Sequence, residues 1–150
     1  MRAILFRGKR LDNGEWKCGS YVHQYGCHEI FLESCEGEDG FDHYHVAPET
    51  VGQFTGLTDK NGKWIFEGDV IQFHKYRGEP DWVGAVKYEN CLYIAAGRMP
   101  LAYEKRTGEE PYFCPFEVQI SSIDKTTIKV IGNIHDNPEL IGERKENHEP

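Results

Sequence analysis

Apolar and polar residues alternate along much of the chain, and Gly or Asn-Gly interrupts the alternation at short intervals. A period of two is typical of half-buried β-strands, and β-branched and aromatic residues favour the same structure. Helix is expected only as short turns, one opening at Pro48 and one in Asn137–Ile141, because proline fits the first helical position. The predicted strands are Ala3–Arg7, Glu15–His23, Glu29–Glu33, Lys63–Phe66, Asp69–Tyr76, Trp82–Glu89, Leu92–Ala96, Phe116–Ile120 and Thr126–Asn133.

Two Asn-Gly pairs, Asn13-Gly14 and Asn61-Gly62, predict hairpins with type I′ turns, which need two residues of positive φ. The Glu67-Gly68-Asp69 segment then predicts a second turn, in which Gly68 takes positive φ. Its two carboxylates could serve acid–base chemistry if their environments differed. The requirements of the turn already account for both residues, so we expect them to cap backbone amides and stay solvated.

The order of strands and turns predicts a mainly β fold. Closely spaced, glycine-punctuated strands after the Glu67-Gly68-Asp69 turn are typical of a small five-stranded barrel of the Src-homology-3 type, here called SH3-like. We expect an amino-terminal β segment over residues 1–48, the barrel over 49–142 and a charged tail over 143–150. Residues 98–115 contain three prolines and a glycine, which predict a long loop within the barrel.

Three blocks of sequence carry a resemblance to a known family. They are VAPETVGQFTGLTDKNGKWIFEGDVI (Val46–Ile71), VIGNIHDNPELI (Val130–Ile141) and ILFRGKRLDNGEWKCGSYV near the start. Together they resemble the YopX family of phage and prophage proteins over almost the whole chain. The resemblance implies an amino-terminal β segment followed by an SH3-like barrel, and a viral or prophage origin. It implies no established biochemical activity and supplies no catalytic residues.

Length and composition indicate an ordinary soluble globular protein. The chain has 150 residues, of which 39% are hydrophobic and 28% charged. No apolar run approaches the roughly 18 residues of a membrane-spanning helix, and the start of the chain lacks the apolar core of a signal peptide. We therefore expect a cytoplasmic protein that has no contact with membranes. The resemblance to phage and prophage proteins implies that this cytoplasm is that of a bacterial host cell. Five cysteines without tight spacing indicate free thiols in that compartment.

Negative charge is concentrated in one segment. The formal net charge is −8, and residues 18–59 contain eight acids but neither lysine nor arginine. The first ten residues have the opposite bias, with four basic residues and no acid. The acidic excess makes nucleic acid an unlikely partner, because phosphate binding needs a cationic surface. Nucleic-acid binding through the barrel and the basic Arg2–Arg10 patch stays the alternative function.

The same acidic segment is rich in cysteine and histidine. Thiolate and imidazole are zinc ligands, and an anionic setting favours a divalent ion. Against zinc, the spacings are irregular and no Cys-x-x-Cys is present, so we expect no cofactor and keep a zinc-stabilised protein as a further alternative. Strand-like alternation of His43-Tyr44-His45 places both imidazoles on one face, where they could also sense pH. The candidate ligands are Cys18, Cys27, Cys35, His43 and His45.

Aromatic residues crowd the proline-rich segment 98–115 and its end. Exposed apolar clusters usually mark interfaces, so this group predicts a surface that contacts another chain. The candidate binding residues are Tyr103, Tyr112, Phe113 and Phe116.

The sequence lacks the signatures of common catalytic sites. It contains no Gly-x-Ser-x-Gly, no phosphate-binding glycine-rich loop with lysine and no His-Glu-x-x-His. We therefore expect no enzyme but a non-catalytic interaction or assembly module that associates with itself and with another phage or host protein. Self-association would also protect exposed strand edges.

Overall fold

A computed structural model describes residues 3–32, 42–74, 81–100 and 113–142. Eleven strands in these ranges form two antiparallel sheets, which confirms the prediction of a mainly β fold. The chain divides into two compact units. One comprises Met1–Leu57 and Trp64–Glu67, and the other comprises Thr58–Lys63 and Gly68–Pro150. Within the described residues, no helix has the length and apolar character needed to cross a membrane.

The amino-terminal unit is built on a six-stranded sheet of order β4-β3-β2-β1-β5-β6. A 3-10 turn at Pro48–Thr50 precedes β5, as the proline predicts. The strands are β1 (Phe6–Lys9), β2 (Trp16–Gln24), β3 (Cys27–Phe31), β4 (His43–His45), β5 (Gly52–Thr58) and β6 (Trp64–Phe66).

Strand β2 changes its partner at Gly19. Residues 16–19 pair with β1, whereas residues 20–24 pair with β3. A bridge between Arg10 and Val46 then joins the end of β1 to the end of β4, and the amide of Leu11 donates to the carbonyl of His45 at 3.0 Å. The side chains of Ile30 and Val46 are fully buried in this unit. Ile65 and Phe66 of β6 are buried as well, so the core of the amino-terminal unit includes side chains of β3, of the end of β4 and of β6.

The carboxy-terminal unit has a five-stranded sheet of order β10-β9-β8-β7-β11. Its core contains Phe73, Trp82 and several aliphatic side chains from β7 to β11. Short 3-10 turns occupy Ile120–Ser122 and Pro138–Ile141. Within the described residues, the two edge strands β10 and β11 are not paired with each other. This sheet is therefore open rather than a closed barrel. The strands are β7 (Asp69–Phe73), β8 (Trp82–Glu89), β9 (Leu92–Pro100), β10 (Phe113–Gln119) and β11 (Lys129–Asn133).

The Asn-Gly turns differ from the prediction. Gly14 and Gly62 have positive φ, but neither Asn13 nor Asn61 does, so these turns are not type I′. At the second turn the amide of Gly62 donates to the carbonyl of Asp59, and glycine then takes the left-handed position. A type I turn followed by such a glycine is the usual three-residue hairpin. The prediction of positive φ at Gly68 is confirmed.

The boundaries of loop and domains also differ from the prediction. Strand β9 continues to Pro100 and β10 starts at Phe113, so both ends of the expected loop 98–115 are paired strand. Pro115 is tolerated because β10 is an edge strand. Strands β5 and β6 belong to the sheet of β1 rather than to the unit that follows residue 48. Residues 101–112 and the predicted tail 143–150 lie outside the described residues.

Candidate binding surfaces

A groove of about 460 Å³ opens between the β1–β2 turn and strand β4 of the amino-terminal unit. The bridge between Arg10 and Val46 brings these two segments together. The volume lies within the range of pockets that hold small organic groups. Leu11 on its rim is 66% exposed. The lining residues are Arg10, Leu11, Asp12, His43, Tyr44 and His45.

A cation lies over an aromatic ring in the wall of this groove. The guanidinium carbon of Arg10 is 4.2 Å from the centre of the Tyr44 ring. Arg10 Nε donates to Asp12 Oδ1 at 2.8 Å, and this side-chain hydrogen bond is the main cause that holds the pKa of Asp12 below its usual value. The Lys17 ammonium lies 5.1 Å from the same ring. The groove therefore offers a fixed, charge-paired guanidinium beside an aromatic face.

The two histidines of β4 face a carboxylate of β3. Glu29 Oε1 lies 3.7 Å from the Nε2 atoms of both His43 and His45, so both imidazoles are on one face of the sheet, as predicted. Glu29 is buried, whereas both histidines are exposed. A separation of 3.7 Å is too long for a hydrogen bond. The arrangement is therefore an electrostatic contact that strengthens when an imidazole is protonated.

The predicted zinc ligands do not come together within the described part of the chain. Cys18 pairs with Arg7 in the middle of the sheet, whereas Cys27 pairs with Gln24 at the end of the β2–β3 hairpin. Among the described residues, no three His, Cys, Asp or Glu side chains have the arrangement that a metal ion needs. Cys35 lies outside these residues, so the hypothesis that includes it stays a prediction.

The three described thiols that are free differ in accessibility, which predicts an order of reactivity. Cys27 and Cys91 are exposed, whereas Cys18 is half-buried. Burial raises the pKa of the Cys18 thiol, although the nearby Arg7 charge partly opposes this shift. Because the thiolate is the reactive form, we expect iodoacetamide at neutral pH to label Cys27 and Cys91 well before Cys18. Mass spectrometry of the peptides over time measures the order, and labelling in urea should abolish it. Equal rates in the folded protein would contradict the described burial of Cys18.

A row of aromatic rings and one guanidinium crosses the sheet of the amino-terminal unit. The guanidinium of Arg7 lies between two rings, 4.7 Å from the centre of Trp16 and 4.9 Å from that of Phe66. Phe66 contacts Phe54, and Phe54 stacks on Trp64 at 4.9 Å. Trp64 ends the row and is 46% exposed. The sequence predicts Trp64 and Phe66 in the second unit, so it misses this row.

The predicted aromatic surface near residues 98–115 is described only in part. Phe116 packs against the buried rings of Trp82 and Phe73, with ring centres 4.7 and 5.8 Å away. Together with Ala96, Gly97 and Glu117 it lines a shallow groove of about 360 Å³. Phe113 lies in β10, and its side chain, like Tyr103 and Tyr112, lies outside the described part of the structure.

The acidic side chains of the hairpin and turn over residues 59–69 serve the framework. Asp59 Oδ1 accepts hydrogen bonds from the amides of Asn61 and Lys63, at 2.8 and 2.9 Å. Glu67 Oε2 accepts from the amide of Gln53 at 3.0 Å. The Glu67 carboxylate therefore caps a backbone amide, as expected, and Asp59 does the same in the turn before it. The expectation that both carboxylates of the Glu67-Gly68-Asp69 turn stay solvated is wrong for Asp69, which is only 1% exposed. Asp59 is also buried, at 6% exposure.

Two of the sequence blocks that resemble a known family meet in the carboxy-terminal unit. Asp59 Oδ2 accepts the amide of Val130 at 3.0 Å, and Asp69 pairs with Asn133. The amide of Ile134 donates to the carbonyl of Gly68 at 2.8 Å. These contacts join the two blocks into one turn-and-strand framework.

The fold and these surfaces define a class: a two-unit, all-β protein whose polar motifs hold turns and whose grooves lie on sheet surfaces. The chain belongs to the YopX protein family, because the sequence model of that family matches residues 6–142. A search of curated proteins gave no match.

A solved structure has a similar fold. The crystal structure of protein EF1440 from Enterococcus faecalis is similar over 95% of this chain and 100% of its own, with a TM-score of 0.54 and 20% sequence identity. At this identity the likeness concerns the fold alone.

Proposed function

We propose that this protein is a phage- or prophage-encoded, non-catalytic interaction and assembly module that associates with itself in the host cytoplasm. The observation that carries the proposal is the set of large apolar side chains that the amino-terminal unit exposes on rigid strands and turns, above all Leu11, Tyr25 and Trp64. Aromatic side chains on preorganised supports are the usual anchors of protein interfaces.

The sheet edges favour contact through side chains rather than through strand pairing. Strands β4 and β6 have three residues each, and β10 contains Pro115. Strand β11 has a register irregularity between Val130 and Gly132. Short strands, prolines and bulges all make an edge a poor template for another strand. Self-association of this protein therefore uses the exposed side-chain surfaces.

The strand connectivity of the carboxy-terminal unit supports the SH3-like scaffold that we propose for this module. Strands β7 to β10 form a meander, a 3-10 turn at Ile120–Ser122 follows, and β11 returns to pair with β7. A last strand that returns to the first is the connectivity of small SH3-like barrels. The carboxylates of Asp59 and Glu67 are occupied by backbone amides, which supports a non-catalytic role.

Analytical ultracentrifugation of the full chain tests the proposal. We expect a concentration-dependent shift from monomer to a larger species at concentrations of about 1 μM to 1 mM, the range of moderate protein affinities. A second sample has residues 101–112 replaced by a short Gly-Ser linker. If the aromatic residues of this segment contribute to self-association, the replaced chain should associate more weakly than the unchanged chain. A strict monomer at the highest concentration in both samples would overturn self-association.

A further inference from the structure

The tip of the β2–β3 hairpin presents one aromatic side chain to solvent at a conformational cost. Tyr25 is 98% exposed and has φ of 51°, and Gly26 after it has φ of 77°. Positive φ suits glycine and asparagine, whereas a bulky residue adopts it only with backbone strain. Glycine or asparagine would make this turn with less strain, so the turn itself does not explain the tyrosine.

The hairpin beneath Tyr25 is stiff. His23 and His28 pair across the strands, and their rings stack at 4.1 Å with an angle of 10° between the planes. The Tyr21 hydroxyl lies 2.5 Å from His28 Nδ1. A hairpin tip on such a support loses little backbone entropy when it docks. Tyr25 is thus presented as a preorganised knob.

The groove beside β4 has the chemistry to receive that knob. The guanidinium of Arg7, in the aromatic row, lies against two rings, those of Trp16 and Phe66. The guanidinium of Arg10 has one described ring contact, with Tyr44. A phenol ring in the groove would give Arg10 a second aromatic face, and its hydroxyl could donate to Asp12. Because Tyr25 is almost fully exposed, it does not occupy the groove of its own chain.

We propose that Tyr25 of one copy of this chain inserts into the groove of Arg10, Leu11 and Tyr44 on a second copy. Charge favours this partner over others. The segment around Tyr25, residues 18–59, contains no lysine or arginine, which disfavours anionic membranes and nucleic acid. The hairpin that carries Tyr25, residues 20–28, has no Asp, Glu, Lys or Arg, which suits a groove whose guanidinium is already paired with Asp12 and Glu15. The inference rests on the proposed self-association and names the contact that produces it.

The test uses one variant in each half of the contact and one matched control. Tyr25→Asn removes the knob and places asparagine, which tolerates positive φ, in the turn. Leu11→Asp puts a charge on the exposed rim of the groove. Tyr88→Asn makes the same change at another exposed tyrosine, in the β8–β9 hairpin, where 53% of the residue is exposed. Circular dichroism and thermal unfolding confirm that each variant folds.

We expect Tyr25→Asn and Leu11→Asp each to weaken self-association at least about tenfold, or about 1.4 kcal/mol. Tyr88→Asn should change it less than about twofold, as for surface positions outside an interface. Tyr25→Asn should also unfold at the same temperature as the unchanged chain or higher, because the turn loses strain. Loss of association without loss of stability is the signature of a residue retained for contact.

A mixing experiment decides whether the knob meets the groove. Tyr25→Asn retains an intact groove and Leu11→Asp an intact knob, so an equimolar mixture should regain a heteromeric complex that neither forms alone. Unchanged association of Tyr25→Asn, or a mixture no more associated than its components, would overturn the contact while leaving self-association intact. If the unchanged chain is itself monomeric throughout, self-association fails and this contact fails with it.

Discussion

Replacing Asp59 by alanine is expected to lower the free energy of unfolding by about 3–5 kcal/mol, because one buried and two part-buried backbone amides lose their acceptor. The carboxylate holds the β5–β6 turn through the amides of Asn61 and Lys63, and it accepts the amide of Val130 from β11. These atoms lie in one compact unit, and Asp59 is almost wholly buried, so water cannot readily replace the lost acceptor. Urea unfolding at neutral pH measures the loss.

The same site predicts a pH dependence. Burial alone would raise the pKa of Asp59, but the amide hydrogen bonds from Val130, Lys63 and Asn61 outweigh burial and hold it below the usual 3.8. A carboxylate whose pKa is lower in the folded state contributes its full stability above the unfolded pKa and loses it as pH falls through the folded value. The stability difference between the unchanged chain and Asp59→Ala should therefore be constant near neutral pH and shrink below about pH 4.

Asparagine at the same position is the control. Asp59→Asn retains one acceptor oxygen but loses the charge, so we expect a smaller loss of about 1–3 kcal/mol. An alanine variant that unfolds within about 1 kcal/mol of the unchanged chain, an ordinary point-mutation effect, would show that Asp59 does not hold the turn to β11.

Local sequence patterns predict the strands whose own residues determine their structure. Trp82–Glu89 is predicted with the observed bounds, and the turns at Pro48 and Pro138 follow from proline at the first helical position. Strand β5 is missed because its residues, GQFTGLT, contain two glycines that weaken a strand pattern. One of them is required by the tertiary structure: a Cβ at Gly52 would lie 2.6 Å from the carbonyl oxygen of Glu67.

The candidate surfaces were harder to predict than the strands, because they depend on register and long-range contact. Alternation alone places His43 and His45 on one face. Only the pairing of β3 with β4 puts the buried Glu29 between them. The groove exists because Arg10 bridges Val46, a contact between distant residues that no local pattern encodes. The exposure of Tyr25 is not predicted either, although Tyr-Gly between the predicted strands Glu15–His23 and Glu29–Glu33 is a signal for a hairpin tip.

The sequence blocks shared with the family are informative about folding rather than chemistry. Asn133 Oδ1 accepts the amides of His135 and Asp136, and a Cβ at Gly132 would lie 2.5 Å from Asn137 Oδ1. These residues form a close-packed turn, just as Asp59 and Gly62 form the β5–β6 turn. The side chains of Asp59 and Asn133, one in each block, therefore accept hydrogen bonds from backbone amides.

Gly19→Ala is expected to be among the most damaging single-methyl additions, with a loss of at least about 3 kcal/mol in the free energy of unfolding. A Cβ at this position would lie 2.1 Å from the carbonyl oxygen of Phe31 and 2.9 Å from its carbonyl carbon. The atoms in the way are backbone, so no side chain can rotate to relieve the clash. Gly19 is also where β2 changes partner from β1 to β3, so a shift there disrupts both pairings.

Gly26→Ala is the matched control for this variant. Gly26 has φ of 77° but open space around its Cβ position, so alanine there costs about 1 kcal/mol through backbone strain alone. Thermal and urea unfolding of the two variants compare a steric clash with a conformational cost. We expect Gly19→Ala to lose the β2–β3 hairpin and, with it, self-association through Tyr25. If both variants lose the same stability, the close approach of β2 to Phe31 does not determine the fold of this unit.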